Sequence, residues 1–123
     1  MIDKIKRPAI VHGVTPRVRL QCGNLYVAIN RHEGKMFEVF AWMGGSGGCA
    51  SSQMNALTVA ITMGIRHGVP PEVYIEKLKG IHCPYVSWDE GVKYLSCADA
   101  IAQLMEAELK KMNEGAYERE DKQ

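Results

Sequence analysis

A glycine-rich stretch followed by serines, residues 44–53, is the part of the sequence best suited to bind a ligand. Four glycines within five residues leave backbone N–H groups unshielded and free to adopt positive φ. A helix predicted just beyond would add unpaired N–H groups and the positive end of its dipole, and both favour a phosphate. The candidate ligands are the amides and hydroxyls of Gly45, Ser46, Gly47, Gly48, Ser51 and Ser52. The spacing matches neither a Walker loop nor a dinucleotide fingerprint, so a close-packed turn between strand and helix is the alternative.

Three arginines that precede this stretch are candidates for holding a phosphate through forked, charge-assisted hydrogen bonds: Arg17, Arg19 and Arg31. Arg17 and Arg19 alternate with apolar residues, so both lie on one face of a predicted strand. A solvated strand face is the alternative interpretation for this pair.

Aromatic side chains in a predicted irregular segment, residues 81–88, are candidates for stacking on a nucleobase. Tyr85 and Trp88 lie there among polar neighbours, and exposed loop aromatics are typical of ligand or subunit contacts. Trp42, in contrast, lies within a predicted strand, and we expect it in the core.

The four cysteines are Cys22, Cys49, Cys83 and Cys97, and none forms a C-x-x-C pair. Scattered cysteines are usually small buried residues, and we expect them to be reduced. We therefore predict no catalytic residue, no metal site and no cofactor. Two alternatives stay open: a metal site made by cysteines that converge in space, and a cysteine enzyme based on Cys97, whose thiol pKa a helix N-terminus would lower.

Composition predicts one globular domain that binds neither a membrane nor duplex DNA or RNA. The 123 residues are 46% hydrophobic and 24% charged, with a net charge of +1. So small a charge provides no general attraction to duplex nucleic acid or to an anionic membrane. The first residues lack the apolar region of a secretory signal, so we expect a cytoplasmic protein, in the host cytoplasm if a phage encodes it.

The hydrophobic pattern predicts an α+β fold, an antiparallel β-meander packed on one layer of two or three helices. Strands are predicted over residues 17–21, 25–30 and 36–43, and helices over 51–67, from Pro70 to Gly80, and over 97–112. Ser96 and Asp99 have the spacing of a capping box for the last helix. The predicted division is an N-terminal arm (1–8), one domain (9–112) and a frayed, charged tail (113–123).

Such a meander would leave a sheet edge and a sheet face uncovered. Pairing these surfaces across a symmetry axis would give a homodimer or a higher closed oligomer. We therefore expect a homo-oligomer, in which ligand pockets can lie between subunits.

Five collinear stretches resemble the TSCPD domain, which is named after a Thr-Ser-Cys-Pro-Asp motif. The stretches are residues 22–27, 37–40, 44–53, 78–84 and 95–102. In the motif itself Leu95 replaces Thr and Ala98 replaces Pro, whereas Ser96, Cys97 and Asp99 match. Alanine is readily accepted in the first turn of a helix, so the departures leave the fold prediction intact.

The resemblance implies two functions. Small phage proteins of this type, similar to the Thoeris anti-defence family, are implied to sequester nucleotide second messengers, of the cyclic ADP-ribose or cyclic oligonucleotide type, without cleaving them. The alternative is an accessory, thiol-containing domain for a vitamin B12-dependent ribonucleotide reductase. A third hypothesis, independent of both, is a purely structural interaction module.

Overall fold

The computed structural model describes residues 3–44 and 48–118 of the chain. Four strands are followed by two helices, two short strands and a third helix, and the fold is the predicted α+β class. The elements are β1 (His12–Val14), β2 (Arg17–Leu20), β3 (Gly23–His32), β4 (Lys35–Gly44), α1 (Cys49–Arg66), α2 (Pro71–Leu78), β5 (Ser87–Asp89), β6 (Val92–Tyr94) and α3 (Cys97–Asn113). None of the described helices is both long enough and apolar enough to cross a bilayer.

The main sheet is an antiparallel meander with β3 at its centre, as predicted. β4 pairs with one side of β3, while β1 and β2 follow one another along the other side. Proline has no N–H to donate to a ladder, and Thr15-Pro16 separates β1 from β2. The carbonyl of Pro16 still accepts a hydrogen bond of 3.1 Å from the N–H of Val27, so the interrupted strand stays on the sheet.

One face of the sheet packs against α1 and α3 and forms the core. Leu25, Val27 and Ile29 alternate along β3 and are fully buried, because every second side chain points to the same face. Their register partners on β4, from Met43 to Val39, are buried with them. The helices contribute apolar side chains that include Ile61, Ile65, Ile101 and Met105.

The free edge of β4 is covered by hydroxyl groups of α1. The N–H groups of Val39 and Ala41 donate to the Oγ1 atoms of Thr62 and Thr58, at 2.9 and 3.0 Å. The N–H of Met43 likewise donates to Ser51 Oγ at 3.1 Å. The prediction of an uncovered edge is therefore wrong for β4, since one helix face supplies the missing acceptors.

A second, two-stranded sheet covers the edge of β2. The N–H of Arg19 donates to Asp89 Oδ2 and the N–H of Gln21 donates to Ser87 Oγ, both at 2.9 Å. The prediction of an irregular segment is wrong for residues 87–88, which belong to β5. Glu90 and Gly91 between the strands have φ values of 49° and 81°, the conformation of a two-residue hairpin turn that suits strand twist.

The start of α3 is fixed by a network around the motif residues. Ser96 Oγ accepts from the N–H of Asp99 at 2.9 Å and donates to the carbonyl of Ile81 at 2.6 Å. The buried Asp99 carboxylate accepts from the N–H groups of Gly80 and Leu95 at 2.8 and 2.9 Å. Burial opposes ionisation, but these donors and the Gln103 side chain outweigh it and hold the pKa of Asp99 below its ordinary value.

Both terminal segments contact the domain. Ile5 and Arg66 exchange hydrogen bonds, with the Ile5 N–H donating to the Arg66 carbonyl at 2.9 Å. Tyr117 Oη donates to Glu108 Oε2 at 2.8 Å. Helical spacing from Ile101, Leu104, Met105 and Leu109 predicts Glu108 on the polar side of α3, but the structure buries it beneath this contact, so that prediction is wrong. Residues 119–123 of the predicted tail lie outside the described part of the chain.

Candidate functional site

The sheet face turned away from the helices, here called the outer face, contains two rows of side chains beside the glycine stretch. Strand register places Arg17, Tyr26 and Trp42 in one row across three strands. The next row contains Arg19, Asn24 and Gly44. The name open half is used below for the five side chains of these rows: Arg17, Arg19, Asn24, Tyr26 and Trp42.

Trp42 is the largest exposed group of the open half, and the core prediction for it is wrong. Its neighbours Ala41 and Met43 point into the core, so alternation turns Trp42 outward and leaves 41% of it exposed. Its ring stacks on Tyr26, with centroids 5.8 Å apart and planes at 10°. The signal was present in the sequence, because Glu38 shares the parity of Trp42 in β4 and a charged residue marks the face away from the core.

The glycine stretch leaves the sheet next to this aromatic pair. A Cβ atom on Gly44 would lie 2.6 Å from Cε2 of Tyr26, so only glycine lets the ring lie over the strand end. Gly48 precedes α1 with φ 103°, and none of the described side chains caps the helix. The first turn of α1 contains no acidic residue, so no carboxylate offsets its dipole.

The predicted phosphate ligands fall into three groups. Gly45, Ser46 and Gly47 lie outside the described residues. Ser51 accepts the hydrogen bond from Met43, which gives its oxygen a structural role at the edge of β4. Ser52 is exposed in the first turn of α1, and its N–H donates to the carbonyl of Gly48 at 3.1 Å.

Two of the three predicted arginines lie together, and the third does not. Arg17 and Arg19 are exposed on the outer face, two strand spacings (roughly 10 Å) from Trp42 and Gly44 respectively. Arg31 lies on the opposite side of β3 and is 3% exposed, with its guanidinium 3.8 Å from the ring centroid of Tyr117. Arg31 therefore does not join the other two at the open half.

The predicted stacking residues Tyr85 and Trp88 are exposed but lie on or near the second hairpin. Trp88 is 66% exposed on β5, with Lys93 Nζ 5.9 Å from its ring centroid. Tyr85 is 59% exposed in the preceding loop. The hairpin flanks β2 through Asp89, and a cleft of about 360 Å³ lies between the two strands, with Arg17 and Arg19 in its lining.

The other end of the outer face, here called the covered half, is closed by the N-terminal segment. Arg7 donates through Nε and Nη2 to the two carboxylate oxygens of Glu38, each at 3.0 Å, and Asn30 Nδ2 donates at 2.9 Å. Burial opposes ionisation of Glu38, but the hydrogen bonds from Arg7 and Asn30 and the charges of Arg7 and Arg66 outweigh it and lower its pKa. The same pair raises the pKa of Arg7.

Three cysteines converge near the start of α3. All four cysteines are free thiols, and the Cys97 thiol lies near those of Cys22 and Cys83. Burial, then the proximity of these thiols, raises the pKa of Cys97, so the expected lowering by the helix N-terminus is wrong. Within residues 3–44 and 48–118, no three His, Cys, Asp or Glu side chains are grouped so as to hold a metal ion.

A larger cavity of about 680 Å³ lies away from the open half. It is bounded by the β3–β4 turn, the α1–α2 connection and α3, and its lining includes His32, Lys35, Phe37 and Leu109. No sequence motif marks these residues as a site, since they belong to separate elements. The cavity is a competing location for a ligand.

A family model described as the TSCPD domain matches residues 3–109 of the 123-residue chain. The match covers every strand and most of α3, including the network at Ser96 and Asp99. No solved structure matches the chain.

Proposed function

The chain belongs to the TSCPD domain family, and from that premise we propose that it is a non-catalytic protein that sequesters a nucleotide second messenger. The proposed ligand is of the cyclic ADP-ribose or cyclic oligonucleotide type. A protein of this kind lowers the free concentration of the messenger by holding it intact, which is the action of a phage anti-defence sponge. The family match specifies only the domain. The class of ligand is the one that the resemblance to the anti-defence proteins implies, and the chemistry of the site supports it.

The observation that carries the proposal is the pair Arg17 and Arg19 on the same sheet face as Gly44. Among the described residues, no side-chain partner accepts a hydrogen bond from either guanidinium, although the Arg19 N–H is bonded to Asp89. Arginine recognises phosphate through two parallel N–H donors. The first turn of α1 adjoins the Gly44 end of β4 and contains no acidic residue, and N–H groups at a helix start favour the same anion.

Storage rather than cleavage follows from the side chains of the open half. They comprise two guanidinium groups, one amide, one phenol and one indole. None of these is a strong nucleophile or general base at neutral pH. The site offers charge neutralisation and contact area, which are what retention of a ligand requires.

The test is calorimetry of the purified protein against cyclic ADP-ribose, cyclic di-AMP and cyclic di-GMP. Replacing Arg17 and Arg19 together by Ala should weaken binding about 10- to 100-fold, because a hydrogen bond to a charged group contributes about 1.5–3 kcal/mol. The matched control is Lys77→Ala with Lys110→Ala, which removes two exposed positive charges from α2 and α3.

Mass spectrometry of the ligand released by heating separates storage from cleavage. Recovery of the intact nucleotide is expected. If the wild-type protein binds none of the three nucleotides, or if the arginine and lysine variants weaken binding equally, the proposal fails.

A further inference from the structure

We propose that the base of the bound nucleotide stacks on Trp42, so that the ligand class is a base-bearing nucleotide rather than a sugar phosphate or an inorganic polyphosphate. This inference rests on the proposed function and deepens it. It concerns a residue that the sequence alone places in the core.

The indole ring of Trp42 is held rigidly and is partly exposed. Its backbone lies in the ladder between β3 and β4, and its ring is fixed on one side by the stack with Tyr26. The residues on either side of it are buried in the core, so the strand cannot rotate to hide the ring. Binding to a fixed plane costs little side-chain entropy, and an exposed indole gains contact area when covered.

The surroundings of the ring favour an aromatic anion over an apolar partner. Arg17 lies in the same row as Trp42, and Arg19 lies in the next row. Neither row contains an acidic side chain among the described residues. Asp89 and Glu90 line the cleft beside the two arginines, on the side of β2 away from Trp42. An apolar helix would cover the indole but would offer no acceptor to the guanidinium groups. A nucleotide satisfies both, because it joins a flat base to a phosphate.

The row also sets how far the ligand must reach. Trp42 and Arg17 are separated by two strand spacings, roughly 10 Å between backbones, and Tyr26 lies between them. Tyr26 covers the indole face turned toward Arg17, so the base stacks on the opposite face and the ligand must extend over the aromatic pair for its phosphate to meet the long Arg17 side chain. Trp88 is a weaker candidate for the same role, since it lies on the flanking hairpin beside Lys93.

The test uses the variant Trp88→Phe, which leaves Trp42 as the single tryptophan of the chain. Cyclic ADP-ribose, cyclic di-AMP or cyclic di-GMP should quench its emission at the concentrations at which calorimetry reports binding. Ribose 5-phosphate and pyrophosphate should bind weakly and leave the emission unchanged. Because Trp42 itself stays intact, this measurement does not depend on whether a Trp42 variant folds.

Substitution of Trp42 gives the second readout. Trp42→Leu should weaken binding of the best cyclic nucleotide about 10- to 100-fold, the typical loss of one base–aromatic stack, while Trp42→Phe should retain most of it. Circular dichroism of each variant reports whether it is folded.

Each other outcome has a defined meaning. If a cyclic nucleotide binds without changing Trp42 emission, and equally to Trp42→Leu, the stacking inference is overturned while the proposed function stands. If the emission changes with protein concentration alone and Trp42→Leu alters the oligomeric state, Trp42 belongs to a contact between copies and the inference is overturned. Absence of binding by all three nucleotides overturns both proposals.

Discussion

The starts of α3 and α1 are built from similar sequence features but are satisfied in different ways. At α3, Ser96 caps the helix and Asp99 accepts backbone hydrogen bonds from Gly80 and Leu95. At α1, the position before the helix is Gly48, no described side chain caps it, and the first turn contains no acidic residue. Within the described residues, the start of α3 therefore fastens loops of the chain, whereas the start of α1 has no side-chain cap.

The outer face of the sheet repeats this contrast. In the covered half, Glu38 is enclosed by Arg7 and Asn30. In the open half, Arg17 and Arg19 point to solvent beside a stacked aromatic pair. Our proposal assigns the ligand to the polar groups that regular structure positions but does not use for its own hydrogen bonds. The start of α1 and the open half lie at the same end of β4.

The largest stability effect is expected at the start of α3. Asp99→Ala removes the acceptor for two backbone N–H groups and for Gln103, and should lower the free energy of unfolding by about 3–4 kcal/mol. Urea denaturation measures this change. The control on the same helix is Glu106→Ala, which breaks a surface pair with Lys79 and should cost less than about 0.5 kcal/mol. Equal losses of stability for the two variants would contradict the role of Asp99 in fastening the start of α3.

Glu38→Gln probes the covered half and should cost about 1–2 kcal/mol, because it removes the charge from the hydrogen bonds with Arg7 and Asn30. The folded-state pKa of Glu38 is lowered, so its contribution is complete above the ordinary value near 4.5 and is lost as pH falls below it. Urea denaturation at pH values from about 6 to 3 should therefore show that the free energy of unfolding falls less with decreasing pH in the variant than in the wild type.

The matched change in the open half is Arg17→Ala. Its side chain is exposed, so the stability change should stay within about 0.5 kcal/mol at every pH. A loss of stability as large as that of Glu38→Gln would mean that Arg17 stabilises the fold.

The smallest expected effects distinguish the roles of two neighbouring serines, Ser51 and Ser52. Ser51→Ala removes the acceptor for the Met43 N–H and should cost about 1 kcal/mol, whereas Ser52→Ala should cost less than about 0.5 kcal/mol. Nucleotide binding should show the reverse order, because the Ser52 hydroxyl is exposed at the start of α1. Thermal unfolding and calorimetry of both variants measure the two quantities. A binding loss confined to Ser51→Ala would contradict this assignment.

Sequence pattern predicts the sheet and helices because their periodicities are local. Alternation in residues 17–21 and 25–30 locates β2 and β3, and the spacing of Ser96 and Asp99 predicts the cap that the structure contains. Sequence pattern failed where packing between elements distant in the chain determines burial or strand formation. Glu108 is buried because Tyr117 reaches back to it, and β5 forms because β6 and β2 are beside it.

The candidate site was predictable only in part, for the same reason. Arg17 and Arg19 were placed on one strand face by simple alternation, and the structure keeps them there. Trp42 was assigned to the core because aromatic residues usually are buried, and only its register with Tyr26 and Arg17 reveals a shared outer row. Arg31 has the same residue type as the other two, but β3 alternation turns it to the opposite face.

The most direct test of a ligand site at the open half is amide chemical-shift mapping by nuclear magnetic resonance, with cyclic ADP-ribose, cyclic di-AMP and cyclic di-GMP added in turn. We expect the shifts to be largest for Arg17, Arg19, Tyr26 and Trp42, including the Trp42 indole N–H, and to be small around Glu38. Shifts that concentrate instead at the cavity lined by His32 and Phe37, or no shifts with any of the three nucleotides, would contradict the account.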